Sequence, residues 1–66
     1  MRAIDQLLNH FDGNQSKAAA ALGGNIKQQH VWHWLNKSDD MPVAYVPKAA
    51  RLIGKSPKEL RPDIEW

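Results

Sequence analysis

Four consecutive alanines, Ala18–Ala21, followed by Leu22 and the pair Gly23-Gly24, constrain this chain more than any other stretch. Alanine has the highest intrinsic helix propensity, and its methyl side chain lets a second helix approach closely. Asn14 ahead of Gln15-Ser16-Lys17 brings a side-chain oxygen to the first turn, and Gly23 is free to take the left-handed conformation with which helices end. A helix is therefore predicted over about 14–22. A helix this short is marginal alone, so the rest of the chain must pack on it. The chain has 66 residues and no Cys, which leaves one small core, one domain spanning 1–66, and neither disulfides nor thiolate-held metal to support it.

The remaining periodicities are helical. Ile4, Leu7, Leu8 and Phe11 fall at i, i+3, i+4 and i+7 and end at Asp12-Gly13, which predicts a first helix from Arg2 to Phe11. After Gly24 a third helix is predicted over about 26–36, with Val31, Trp34 and Leu35 on one face and Gln29, Trp32, His33 and Asn36 on the other. Trp32 and Trp34 lie two apart, about 200° around the helix, so they cannot both face the core. Trp34 shares the Val31 face. Tyr45, Val46, Ala49, Ala50, Leu52 and Ile53 support a fourth helix from about Val46 to Ile53, with Pro47 in its first turn and a shorter turn from Val43 ahead of it. Ser56-Pro57-Lys58-Glu59 has capping-box spacing and predicts a last helical turn, beyond which Leu60, Ile64 and Trp66 are available to pack back. No segment reads as a strand. The fold class expected is all-α, a compact bundle of four to five short helices.

No apolar run approaches the roughly 20 residues that span a bilayer, and MRAIDQLLNHF has no basic segment followed by a small-residue cleavage site. A cytoplasmic protein without a membrane partner is expected. The carboxylates offer no pair set for general acid and base work, so no enzyme is expected, and a chain of this length leaves little room for a deep pocket. His30 and His33 stand three apart with His10 as a conceivable third ligand, but no acid in their segment completes a metal site. Neither a cofactor nor a small-molecule ligand is expected.

Charge is more informative in its distribution than in its total of +2. From Gly13 to Ser38 there is no acid, while Lys17, Lys27 and Lys37 alternate with Gln, Asn and His. Such a stretch suits a polyanion, or else forms a solvated helical face. Two short helices joined by a Gly-containing turn, the second with an outward polar row, form a helix-turn-helix arrangement. Its second helix fits the DNA major groove while the first crosses the backbone. A Gln amide pairs with the N7 and N6 edge of adenine, which makes Gln28 and Gln29 the leading base readers, with Trp32 near a thymine methyl and His33 beside it. Trp32 reads equally well as a ring lying on the surface or in a dimer contact. Asn14, Gln15 and Lys17 are placed for phosphates at the start of the second helix, with Lys27, Lys37 and Ser38 at the flanks of the third.

At this point the chain resembles the Cro-type repressors of lambdoid phages and the related YdaS-type regulators. The resemblance is carried by His10-Phe11, by QSKAAAALG from Gln15 to Gly23, by Gln28-Gln29-His30-Val31 with Trp34-Leu35, and by Leu60-Arg61-Pro62-Asp63-Ile64. It implies a Cro/lambda-repressor-like fold, with residues matching Lys27, Gln28, Gln29, Trp32 and His33 on the DNA-facing side of the recognition helix. It also implies a homodimer on a palindromic double-stranded operator in the bacterial cytoplasm, repressing transcription by steric occupation. The chain departs from the family pattern between Leu22 and Gln29, where it is two residues longer and has Lys27 in place of a Ser or Thr cap. Asn25 and Gln28 have capping-box spacing of their own, which would start the helix earlier and engage Gln28 with backbone. The other function class open to the chain is an antitoxin-like module that neutralises a toxin partner through its tail and Trp66. An outward row of Gln, His and Asn favours DNA.

Overall fold

The structure, a computed structural model, describes residues 2–66. Its elements in order are α1 (Ala3–His10), α2 (Gln15–Leu22), α3 (Gln28–Asn36), a single 3-10 turn (Val43–Tyr45), α4 (Val46–Leu52) and α5 (Pro57–Leu60). Among the described residues there is no strand. All-α architecture with five helices follows directly from the apolar spacing: the buried positions of α1 are Ala3, Ile4, Leu7 and Leu8, and those of α4 are Val46, Ala49 and Ala50. The largest fully buried side chains, Ile4, Leu7, Val31, Met41, Val46 and Leu60, come from α1, α3, the following loop, α4 and α5, so one core joins both ends of the chain. Its radius of gyration is 10.6 Å. A compact chain of this length is expected at about 11 Å, so the tail is folded in rather than extended.

α2 lies against α3, with Ala18, Ala19 and Leu22 buried on one side and Val31 and Trp34 on the other. Methyl side chains permit this approach. Asn14 caps α2 through Oδ1, which accepts from the Lys17 N–H at 3.0 Å. Gly23 and Gly24 close it with φ of 72° and 62°, a region where a Cβ is strained.

α3 begins at Gln28, two residues beyond the expected start near Ile26. Ile26 donates its N–H to Gly23 O at 3.2 Å in a tight turn and packs its half-buried side chain on the core. Lys27 is then extended, with φ −120° and ψ 167°. Core burial of Ile26 holds the intervening backbone out of the helix. The Asn25–Gln28 box does not form, because Lys27 takes the N-cap and the Gln28 amide points elsewhere.

Two long-range polar contacts seat α1. Asp40 lies in the loop after α3, and its carboxylate accepts from the N–H of Ala3 at 2.9 Å, Ile4 at 2.9 Å and Met41 at 2.7 Å. A helix N-terminus is thereby capped from 36 residues away. Arg2 donates Nη1 to Asp39 O and Nη2 to Leu35 O, each at 3.2 Å, which ties the start of α1 to the end of α3. The same guanidinium pairs with Asp5 at 2.9 Å, while Arg61 pairs with Asp63 at 2.8 Å.

The Asp5 carboxyl is held below its usual range chiefly by its hydrogen bond from Arg2, and Asp63 likewise by Arg61. A carboxyl whose folded pKa is depressed adds stability above its unfolded value of about 4, and that share is lost as pH falls through the folded value. The melting temperature is therefore expected to hold from neutrality to about pH 5 and to drop below about pH 4. Asp5→Asn should shrink the drop in thermal melts. An equal drop in that variant would assign it to other carboxylates.

Candidate nucleic-acid interface

α3 divides cleanly. Val31 and Trp34 are buried, and Trp34 stacks on Tyr45 with ring centroids 5.4 Å apart. Gln28, Gln29, Trp32, His33 and Asn36 are exposed. At 100° per residue these five fall within roughly 140° of arc, the width of face that a groove-bound helix presents. His30 is half-buried at the margin.

The first residues of α2 and α3 are joined. Gln28 Nε2 donates to Gln15 Oε1 at 2.6 Å across the turn. Each amide retains complementary capacity: Gln28 keeps one N–H and its carbonyl oxygen, the pair that matches an adenine edge, and Gln15 keeps both N–H groups, which match a phosphate. Beside them, the backbone N–H groups of Gln15 and Ser16 open the first turn of α2 without a protein acceptor among the described residues. Such N–H groups carry the positive end of the helix dipole.

The other positions singled out in the sequence lie at or near the surface of the same unit. Asn14 commits Oδ1 to the α2 cap and leaves its amide N–H groups outward. Lys17 and Lys27 are exposed at the α2 and α3 starts. Lys37, the residue capping the C-terminus of α3, holds Nζ 6.0 Å from the Trp32 ring centroid, so the indole carries a cation on its face. Asn36 Nδ2 donates to Trp32 O at 3.0 Å. Ser38 is half-buried just beyond, its N–H bonded to His33 O at 2.9 Å. Gln15–Gln28 and Lys37–Trp32 are thus the pairs that the fold brings together, while the side chains of Gln29 and His33 have no hydrogen-bond partner among the described residues.

Sequence reasoning did not single out Asp40 and Arg2, which set how α3 sits against α1, nor the hydrogen bond from Lys27 N–H to His30 Nδ1 at 2.9 Å. The signal for the last was an acceptor side chain three residues after the N-cap, the spacing of a capping box with imidazole in place of Glu or Gln. Among the described residues no group of three or more His, Cys, Asp or Glu is placed to hold a metal ion. No helix there is long and apolar enough to cross a membrane. Two shallow clefts of about 440 and 410 Å³ are lined by the tail, one around Trp66 and one between Arg2, Asp40 and Arg61.

A family model described as bacterial toxin YdaS matches residues 3–66, nearly the whole chain and all five helices. Neither a curated protein nor a solved structure matches.

Proposed function

The chain belongs to the YdaS family, and from that premise we propose that it is a sequence-specific double-stranded DNA-binding repressor of the Cro type. The observation that carries this reading is the exposed, acid-free face of α3, joined at its first residue to the first residue of α2 by the Gln28–Gln15 bond. α3 enters the major groove, with Gln28 and Gln29 on adenine edges and Trp32 and His33 further along the groove. Asn14, Gln15, Lys17, Lys27, Lys37 and Ser38 hold phosphates on either side. Two copies occupy a palindrome with their α3 helices about 34 Å apart and block the promoter sterically in the cytoplasm. No cofactor, metal or small molecule takes part, and the protein is not an enzyme.

The test is selection of duplexes from a random-sequence pool at about physiological salt, where non-specific binding is weak. Recovery of a short inverted repeat is expected. Recovery of nothing above background would overturn the reading.

A second reading has two specific supports: the family's description as a toxin, and Trp66, which is 49% exposed beside the tail cleft. In that reading the tail binds a protein partner of a toxin–antitoxin pair. Deletion of Trp66 separates the two, since the DNA reading leaves duplex selection intact in that variant.

A further inference from the structure

The start of α3 has no conventional capping side chain. Lys27 occupies the N-cap, and an ammonium group has no lone pair to offer to helix N–H groups. The imidazole of His30 closes the turn instead. Its Nδ1 accepts from the Lys27 N–H at 2.9 Å, and the His30 N–H donates back to Lys27 O at 3.0 Å. The two bonds form a clasp whose only interior residues are Gln28 and Gln29. An accepting Nδ1 carries no proton, so the neutral ring is the Nε2–H tautomer.

We propose that His30 is a positioning residue for base reading: by clasping Lys27 it sets the pitch at which Gln28 and Gln29 meet the groove. The assignment rests on the DNA reading above. Gln28 and Gln29 occupy the first two helical positions, where the backbone N–H groups have no acceptor within the helix. Among the described residues those two N–H groups have no protein acceptor at all. Along α3 the first fully buried side chain beyond them is Val31, one position after His30. The Gln15–Gln28 bond restrains one side-chain tip, but it does not hold the backbone of the turn. Without the His30 acceptor the first turn frays, and both amides lose the fixed geometry that a bidentate contact needs. A Glu or Gln at this position reaches back in the same way, so the acceptor rather than the ring is the required feature.

The experiment compares His30→Ala and His30→Gln with the parent chain on the duplex recovered by selection and on the same duplex altered at the bases under the first turn of α3. Amide exchange at Lys27 is followed by NMR in the free proteins, with the imidazole nitrogen shifts of the parent reporting the tautomer. His30→Ala is expected to lose protection at Lys27 and about five- to tenfold in discrimination, while Val31 and Trp34 keep their protection. His30→Gln is expected to stay within about twofold of the parent in both. Discrimination unchanged in His30→Ala, or lost equally in His30→Gln, would overturn the assignment alone. A parent chain that selects no duplex would overturn the DNA reading and the assignment with it.

Discussion

Trp34→Ala is expected to cost the domain a large share of its stability at 25 °C. Trp34 is 6% exposed, spans the contact between α3 and the turn that carries Tyr45, and stacks on that ring. Truncating a buried Trp costs about 3–5 kcal/mol, of which the cavity is a large part. A chain of 66 residues has a total stability of roughly 3–10 kcal/mol, so one substitution removes about a third of it or more. Trp32→Ala removes the same side chain two positions away with the opposite outcome. Trp32 is 44% exposed and touches Lys37 only as a surface cation–π pair, worth about 0.5–1 kcal/mol. Urea denaturation followed by circular dichroism checks the pair. Equal losses for the two variants would mean that α3 does not divide as described.

Asp40→Ala is expected to cost about 3 kcal/mol. Three N–H groups, those of Ala3, Ile4 and Met41, share this carboxylate, and two of them belong to the first turn of α1. A hydrogen bond to a charged group contributes about 1.5–3 kcal/mol, but three on one carboxylate do not add in full, because water reaches some of the freed donors. Arg61 stands 3.9 Å from the same group and gains little from so long a contact, although its pairing with Asp63 remains. Asp40→Asn tests the geometry more finely. Oδ1 alone serves Ile4 and Met41, so an Asn that keeps this oxygen should lose only the Ala3 bond and the charge, roughly half the effect. Amide exchange at Ala3 and Ile4 reads the cap directly. A loss in Asp40→Ala within about 0.5 kcal/mol of the parent would show that the cap contributes nothing to stability.

The parts of this molecule legible in its sequence are those governed by local spacing. α1, α2, α4 and α5 fall where apolar periodicity, Asn14, Pro47 and Ser56-Pro57 put them, because the pattern of a short amphipathic helix is complete within one or two turns. The split between Trp32 and Trp34 was legible for the same reason. What spacing does not encode is closure. The Asp40 bonds to Ala3 and Ile4, and the Arg2 bonds to Leu35 and Asp39, join positions more than 30 apart, and a loop acid reads as turn chemistry until the fold brings it to a helix end. The start of α3 fell between the two cases: Ile26 continues an apolar pattern, yet its side chain reaches the core from a tight turn rather than from a helix. At the site, the exposed row on α3 was evident from residue type. Its union with α2 through Gln15 and Gln28 joins positions 13 apart on two helices and was not.

In the proposed function the outward face of α3 reads bases while the flanking groups hold phosphates. The most direct measurement is the affinity of the parent chain, Gln29→Ala and Lys17→Ala for the selected duplex and for a scrambled one, each over a range of salt. Gln29→Ala should cost about 1–3 kcal/mol on the selected duplex only and relax the preference at one base pair, with the salt slope unchanged. Lys17→Ala should weaken both duplexes alike and lower the slope by about one unit. An equal loss on both duplexes for Gln29→Ala would contradict the claim, because a side chain that reads a base cannot be indifferent to its sequence.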